Sequence, residues 1–239
     1  MTTVCGRVCA ALLTFTAITV AQNLAQAVAQ DSDHEKATTA SPPRLRFVFD
    51  HPDVQVTHYQ IDVAADGAAH YESRIRGHEK GSSEDEVSRD FTVSPETRTK
   101  LFALAKAANN LDGDFNFSKH KIAFTGNKTI ILTDAGGTHT TKIVWSENQQ
   151  IMSLIEVFEG ISGTLEEEPT LQRLRRFDRL GLNAELAKME RLANSGWLRE
   201  INLISGVLKD IASDSSIMSL ARRRAERLLK LASGASKET

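Results

Sequence analysis

The stretch YQIDVAADGAAHYESRI, residues 59–75, decides the fold class of this 239-residue chain. Apolar and polar side chains alternate on both sides of Asp66-Gly67. Strict alternation is typical of a strand with one buried and one solvent-facing side. An Asp-Gly pair between two such runs is a turn signal. The stretch therefore predicts an antiparallel β-hairpin with one apolar face.

Two registers are open to this hairpin. A loop of only Asp and Gly would set Val63 opposite His70 and would mix core with solvent-facing side chains, because a shift of one residue turns every side chain over. A three-residue loop that ends at Ala68 instead pairs Val63 with Tyr71. We favour this second register, with positive φ at Gly67 or its neighbour in a bulged turn.

Other strands are expected on both sides of this hairpin. Alternating patterns predict a first strand that begins near Leu45 and an edge strand over residues 87–93. A second hairpin is expected from residues 128–133 and 138–145, joined by a glycine-rich turn.

A helix is predicted to begin at Ser94-Pro95-Glu96. These residues supply a hydroxyl cap, a proline at the first helical position and an acid in the first turn. The apolar stripe of the helix starts at Leu101. Residues 44–145 are therefore predicted to form an α+β domain of antiparallel hairpins with one packed helix.

The pattern of residues 146–232 is helical, because the apolar period changes from two residues to about 3.6. Ser146 and Gln149 have the spacing of a capping box, and Gly181 and Gly196 stand where helix C-terminal caps belong. A bundle of short helices is therefore expected after the α+β domain. The expected elements are helices through residues 151–161, 169–180, 183–193, 197–211 and 216–231, N-caps at Asn183 and at Asp214 or Ser215, and a flexible tail over residues 233–239.

The N-terminus has the organisation of a cleavable secretory signal peptide. Arg7 precedes an apolar run over residues 8–20, about 13 residues, whereas roughly 20 are needed to cross a bilayer. Small residues favour cleavage after Ala29, with Ala27 as the alternative site. We expect residues 1–29 to be removed and the mature protein to be periplasmic or secreted. The other possibility is an uncleaved apolar helix that holds the protein at a membrane.

The expected mature chain contains no cysteine, because both Cys5 and Cys9 lie within the signal peptide. It is therefore predicted to be free of disulfides even in an oxidising compartment. Residues 30–43 are polar and charged and end in a double proline, a composition that favours a flexible tether.

The net charge of −2 divides unevenly along the chain. Residues 30–164 carry 14 basic and 20 acidic side chains, while residues 165–239 carry 14 and 11. Neither imbalance is large enough to predict a nucleic-acid or membrane partner. We expect no nucleic-acid partner and no stable membrane insertion after signal cleavage.

The best candidate for a metal site combines His51, Asp53 and His58. These residues straddle a loop and a strand start, and they lack the paired spacing of zinc sites. Solvated polar side chains are the favoured interpretation.

The favoured hairpin register also places Glu72 opposite Asp62 on the outward face. Two facing carboxyl groups in general raise each other's pKa, an arrangement that acid–base catalysis uses. His70 and Arg74 flank them diagonally, so a solvent-facing ladder of mixed charge is favoured instead.

Two serine patterns match catalytic motifs only in part. Ser162, in Gly-Ile-Ser-Gly, lacks the second glycine of a nucleophile elbow and is expected to end a helix. Ser118 and Lys121 have the Ser-x-x-Lys spacing of penicillin-recognising enzymes, but the other motifs of that class do not follow. Asn116 and Asn127 begin glycosylation sequons, which are informative only for a eukaryotic source.

The densest basic clusters lie in the helical region. Acidic residues lie close to them in sequence, so solvated helix faces with intrahelical ion pairs are favoured over phosphate binding. The clusters are Arg173, Arg175, Arg176 and Arg179, and then Arg222, Arg223, Arg224 and Arg227.

Residues 44–145 combine an alternating strand, an Asp-Gly turn, a tyrosine-bearing strand, a capped helix and another hairpin. The motifs are Tyr59-x-Ile61-x-Val63, Asp66-Gly67, Tyr71 and Val93-Ser94-Pro95-Glu96, followed by the Leu101 helix. In this combination the chain resembles exported bacterial proteins that carry a small α+β domain of unknown function. The resemblance implies an exported α+β domain and transfers no catalytic residue.

Separately, residues 208–229 resemble one unit of a helical-repeat protein, and one unit does not make an array.

The sequence contains no convincing catalytic, metal-binding or cofactor motif. We therefore predict no catalytic residue, no metal ligand and no cofactor. The expected export, together with the lack of such motifs in the sequence, favours a non-enzymatic binding or interaction module in the cell envelope. Its expected partner is another envelope protein, contacted through the helical region. The alternative is a hydrolase with a site assembled from residues that are distant in sequence.

Overall fold

The computed structural model describes residues 42–76, 85–117, 119 and 121–234. The expected signal peptide and its cleavage sites, most of the tether, Ser118 and the last five residues of the expected tail lie outside the described residues.

Six strands and five α-helices make up the described part of the chain. The strands are β1 (Arg44–Asp50), β2 (Val56–Ala64), β3 (Ala68–Ile75), β4 (Asp85–Thr92), β5 (Asn127–Asp134) and β6 (Gly137–Ile143). The helices are α1 (Pro95–Ala107), α2 (Gln149–Phe177), α3 (Arg179–Asn194), α4 (Ser205–Ser213) and α5 (Ser219–Ala232), with short 3₁₀ turns at Asn109–Leu111 and Ile201–Ile204. This arrangement confirms the predicted α+β class with helices at the C-terminal end.

The strands form one antiparallel sheet in the order β4-β3-β2-β1-β5-β6. Strand β1 lies in the middle of the sheet, and the predicted edge strand β4 lies at one edge. Alternation places Leu45, Phe47 and Ile61 on the face that packs against α1 and the first half of α2. The ring of Phe47 stacks on that of Phe158 of α2, with centroids 5.1 Å apart.

The predicted register of the first hairpin is wrong by two residues. Val63 pairs with Ala69 and Ile61 pairs with Tyr71. The loop does have three residues, but it runs over 65–67, where Gly67 adopts φ +96° and donates its N–H to the carbonyl of Ala64 at 2.9 Å. A shift of two residues keeps every side chain on its face, so the apolar pattern could not reveal it.

The start of α1 confirms the prediction from Ser94-Pro95. The Ser94 hydroxyl accepts a hydrogen bond from the Thr97 N–H at 3.2 Å, and Pro95 is the first helical residue. Leu101 and Ala105, one turn apart, are buried in the core under the sheet.

Helix α2 is one continuous helix of 29 residues, where two shorter helices were expected. It runs through Ser162 and also through Pro169, which removes one backbone hydrogen bond and whose ring crowds the carbonyl four residues earlier. Buried side chains continue on both sides of the proline, at Leu165 and Leu171, and their burial outweighs the local break signal. The cap is Asn148 and not Ser146, since the Asn148 side chain accepts from the Ile151 N–H at 3.0 Å.

The limits of the last helices also differ from those predicted. Gly181 lies in the first turn of α3, where its N–H is capped by Asp178 at 2.8 Å, so neither Gly181 nor Asn183 marks a boundary. Gly196, with φ +77°, does follow the end of α3 as predicted. Residues 197–200 are not helical, and α5 begins at Ser219, after an Asp214 turn.

These helices form two antiparallel pairs that lie side by side. Lys188 of α3 pairs with Glu167 of α2 at 3.1 Å, so the end of α2 and α3 form the first pair. Helices α4 and α5 form the second pair, and their core joins that of the first. None of the described helices has both the length and the apolar composition that crossing a bilayer requires.

The segment between α3 and α4 connects the helical pairs to the sheet. The Arg199 N–H donates to the carbonyl of Gly160 at 3.2 Å, and the Thr164 hydroxyl donates to the carbonyl of Arg199 at 2.6 Å. The carboxylate of Glu200 accepts from the hydroxyl of Ser94 at 2.6 Å and from its N–H at 3.1 Å. One segment therefore contacts both α2 and the beginning of α1.

Candidate anion-binding cleft

A cleft of about 640 Å³ lies between α3 and α5. The two helices pack through buried side chains at helical spacing, which include Leu186 and Met189 on α3 and Ala225 and Leu228 on α5. Because the neighbouring positions on each helix lie beside this contact, they line the cleft. The lining residues are Ala187, Glu190, Arg191, Asn194, Arg224, Arg227, Lys230 and Leu231.

Glu190 organises the floor of the cleft. Its Oε2 accepts from Nη1 of Arg224 and its Oε1 accepts from Nε of Arg227, both at 2.6 Å. The Glu190 side chain is only 13% exposed, so this pairing is held in place by the packing around it. The hydrogen bond that Arg227 donates to Glu190 raises the pKa of Arg227.

The cleft has more positive than negative charge. Of the described residues that line it, four are basic and one is acidic. Arg191 and Lys230 form no salt bridge with a described acidic residue, and the buried Nε of Arg224 has no hydrogen-bond partner among the described residues. Guanidinium groups that are already oriented are suited to bind carboxylate or phosphate oxygens.

The lining groups of the cleft are suited to bind an anion. Glu190 is the one lining carboxylate among the described residues, and both of its oxygens are occupied by arginines. Asn194 and the arginines are hydrogen-bond donors that do not act as nucleophiles near neutral pH. The geometry therefore fits recognition of an anion.

The structure corrects the interpretation of the arginine clusters. The observed ion pairs run between helices: Arg224 and Arg227 of α5 pair with Glu190 of α3, and Arg175 of α2 pairs with Asp210 at 3.0 Å. The i, i+3 spacing of Arg224 and Arg227 could have indicated one shared face. The partner Glu190 could not be found this way, since it lies more than 30 residues away in sequence.

The histidine candidates for a metal site lie apart from this cleft. His58 pairs through Nδ1 with Asp50 at 2.7 Å, and Nδ1 of His51 accepts from the backbone N–H of Asp53 at 3.2 Å. The described residues contain no group of three or more His, Cys, Asp or Glu side chains arranged to hold a metal ion.

The predicted pair of facing carboxylates is also not formed. In the observed register Asp62 lies opposite His70, while Glu72 lies opposite Gln60. Asp62 pairs instead with Arg44 at 3.0 Å and with Arg46 at 2.7 Å, both on β1.

His70, on the same open face of the sheet, contacts Asp90 at 2.6 Å and Glu72 at 3.0 Å. The hydrogen bonds that the His70 ring makes to the carboxylates of Asp90 and Glu72 raise the pKa of His70. A ladder of mixed charge therefore covers this part of the face, as the sequence favoured.

Ser162 belongs to a buried polar cluster between β3 and α2. The Tyr71 hydroxyl donates to Oε1 of Glu166 and lies 3.3 Å from Oγ of Ser162, and Ser73 donates to the same carboxylate oxygen at 3.0 Å. Burial and the Glu166 carboxylate raise the pKa of Tyr71, so its hydroxyl keeps the proton that it donates. This cluster holds the helix on the sheet.

The remaining sequence candidates occupy structural positions. Oδ1 of Asn116 accepts from the N–H of Val144 at 2.9 Å, and Asn127 is the first residue of β5. Lys121 lies in an irregular segment before β5, and its proposed serine partner is not described.

A comparison of the chain with protein-family models and with curated proteins finds no match.

Proposed function

We propose that this protein is a non-enzymatic binding module of the cell envelope, and that its α3–α5 cleft binds an acidic segment of another envelope protein. The observation that carries the proposal is the set of four basic side chains around the single carboxylate of Glu190. An anion that enters the cleft would add acceptors for Arg191 and Lys230, whose side chains pair with none of the described acidic residues.

The dimensions of the cleft favour an extended segment over a single small anion. The lining residues on α3 span 187–194, and those on α5 span 224–231. At 1.5 Å per residue each wall is about 10 Å long. An extended chain rises about 3.3 Å per residue, so about three residues fit along the cleft. Ala187 and Leu231 add apolar surface between the charges.

The proposed location comes from the N-terminal sequence. An apolar run that is too short to span a bilayer, followed by small residues near Ala29, supports export and removal of residues 1–29. The mature chain would then meet proteins of the periplasm or the exterior. Its partner would be a protein and not a nucleic acid, because the basic side chains of the cleft span only about 10 Å along each helix, too short a path to follow a nucleic-acid backbone.

The proposal predicts selective binding of an acidic peptide. Fluorescence anisotropy of a labelled hexaglutamate peptide, with an equally labelled hexaglutamine peptide as reference, measures this. The hexaglutamate peptide should bind more tightly. Arg191→Gln and Lys230→Gln should each weaken its binding about two- to fivefold, the usual range for one exposed charge pair. Both substitutions leave the two arginine partners of Glu190 in place.

The matched control is Lys100→Gln, which removes an exposed positive charge from α1. It should leave the affinity for hexaglutamate unchanged. Equal weakening by the control, or equal affinity for both peptides, would rule out a specific acidic-segment site. Full displacement of the peptide by equimolar inorganic phosphate would show that the cleft binds a small anion instead.

A further inference from the structure

The corner where α2 meets α3 exposes two large apolar side chains. Phe177 is 76% exposed and Leu180 is 74% exposed, the highest values among the large apolar side chains of the described residues. They flank Asp178, the single residue between the helices. Because the chain turns back at this junction and both side chains are largely exposed, we take them as the tip of the corner.

The beginning of α5 adds to the same corner. Nη1 of Arg179 donates to the carbonyl of Ser216 at 3.0 Å, which brings the loop before α5 against the start of α3. Met218 and Leu220 follow this contact and are 44% and 36% exposed. We call Phe177, Leu180, Met218 and Leu220 the apolar corner.

Positive charge surrounds the apolar corner. Arg173, Arg176 and Arg179 are exposed on its α2–α3 side, and Arg223 is exposed one turn after Leu220. The guanidinium of Arg176 lies 5.8 Å from the centre of the Phe177 ring. The acidic groups nearby are already engaged: Asp178 caps α3, and Asp214 pairs with Arg175 at 3.4 Å.

The charge of the corner selects between possible occupants. A second copy of the chain in a symmetric contact would bring like-charged arginines together, which opposes association. A protein partner would need a pocket shaped for a projecting tip. A bilayer surface deforms around such a tip, and anionic headgroups match the arginines.

We propose that the apolar corner docks this protein onto the surface of an anionic lipid bilayer. Phe177 and Leu180 enter the boundary between headgroups and acyl chains, while Arg176 and Arg179 bind lipid phosphates. This is peripheral attachment, in agreement with helices that do not span a membrane. The site is separate from the α3–α5 cleft, so the two proposals stand or fall independently.

Sedimentation with large vesicles tests this docking. The purified full chain is mixed with vesicles of 30% phosphatidylglycerol in phosphatidylcholine, or of phosphatidylcholine alone. The wild-type chain should bind the anionic vesicles more tightly, and binding should weaken as salt rises. The double variants Phe177→Ser/Leu180→Ser and Arg176→Gln/Arg179→Gln should each lower the partition coefficient roughly tenfold or more.

Two double variants serve as matched controls. Val54→Ser/Phe124→Ser removes two apolar side chains that are exposed elsewhere, and Lys100→Gln/Lys106→Gln removes two exposed charges from α1. Both should bind vesicles as the wild type does. Far-UV circular dichroism confirms that each variant is folded.

Several results would overturn the proposal. One is the absence of binding to the anionic vesicles. Another is binding that the Phe177→Ser/Leu180→Ser variant retains, which would mean that charge alone attracts the protein. An equal fall of the partition coefficient in the control variants would show that the apolar corner is not the docking site. Dimerisation without lipid that the corner variants abolish would make a second copy the occupant.

Discussion

At the scale of single residues, the most unusual charge in the helical region is that of Glu167. Glu167 is only 8% exposed, and its Oε2 has no hydrogen-bond partner among the described residues. Burial raises the pKa of Glu167 to about 7, although the ammonium of Lys188 lies 3.1 Å from Oε1 and favours the charged form. The desolvation of the carboxylate therefore outweighs its ion pair.

This balance predicts a pH-dependent stability. Since the folded state holds the proton of Glu167 more tightly than the unfolded state, the contribution of Glu167 is fully present below pH 4.5 and is lost as the pH rises toward about 7. Glu167→Gln cannot ionise. Its free energy of unfolding, relative to wild type, should therefore rise by roughly 3 kcal/mol between pH 4.5 and 8.

Urea denaturation of both proteins at several pH values measures this difference. Glu226→Gln removes one carboxylate from the exposed surface of α5 and controls for the change in net charge. If the difference between Glu167→Gln and wild type stays constant from pH 4.5 to 8, the buried carboxylate does not titrate as described.

The residues of the cleft show what a sequence can reveal about a site. The spacing of Arg224 and Arg227 places them on one face of a helix, and this much can be predicted. Their partner Glu190 lies on another helix, and the pairing depends on how α3 packs against α5. A site built between elements has no local pattern, so the structure was needed to find it.

At the scale of elements, strands were easier to predict than helix ends. Alternation in the sequence defined β1 to β3 because each strand buries one face. The length of α2 could not be predicted in this way. Gly163 and Pro169 are local break signals, yet tertiary burial at Leu165, Leu171 and Leu174 keeps the helix continuous.

The two glycines of α2 have different roles, and this gives the second stability prediction. A Cβ on Gly160 would lie 2.5 Å from Cγ of Arg199 and 2.9 Å from the carbonyl oxygen of Trp197. A Cβ on Gly163 would meet only Cδ2 of Leu198, at 3.5 Å, which is an ordinary contact. Gly160 is therefore required for the close approach of the 197–200 segment, and Gly163 is not.

Gly160→Ala should lower the free energy of unfolding by about 1–3 kcal/mol, because the added methyl group forces the segment away from α2. Gly163→Ala is the matched control on the same helix. It should raise stability by up to about 1 kcal/mol, since alanine is the better helix former. Thermal or urea unfolding measures both values. A stabilising effect of Gly160→Ala would contradict the close contact.

At the scale of the whole molecule, α2 joins two apolar cores. Its first half, through Phe158 and Ile161, packs under the sheet. Its second half, through Leu171 and Leu174, packs with α3, α4 and α5. The sheet and all five helices belong to one compact unit. If either core unfolded, half of α2 would lose the surface against which it packs.

The two proposed binding surfaces lie at different parts of the helical pairs. The cleft is formed by the second halves of α3 and α5, and the apolar corner by their beginnings. Since Arg179 contacts Ser216 at one end and Glu190 contacts Arg227 at the other, α3 and α5 run in the same direction. A bilayer at the corner would thus leave the cleft open to a protein partner.

The shared helix predicts that the sheet and the helical pairs unfold together. Trp145 follows β6 and contacts Phe117, with ring centres 5.0 Å apart, so it reports on the sheet region. Trp197 lies between α3 and α4 and reports on the helical pairs. The variants Trp145→Phe and Trp197→Phe each retain one tryptophan. In each variant, the urea transition followed by tryptophan fluorescence should coincide with the transition followed by circular dichroism.

A core substitution far from the sheet makes this test sharper. Ile211→Val removes one methylene from the fully buried side of α4, which should lower stability by about 0.5–1.5 kcal/mol. If unfolding is cooperative, it lowers the midpoint seen by Trp145 as much as the one seen by Trp197. A shift of the Trp197 curve alone would mean that the helical pairs unfold first, and that α2 breaks near Pro169 despite its continuous buried face.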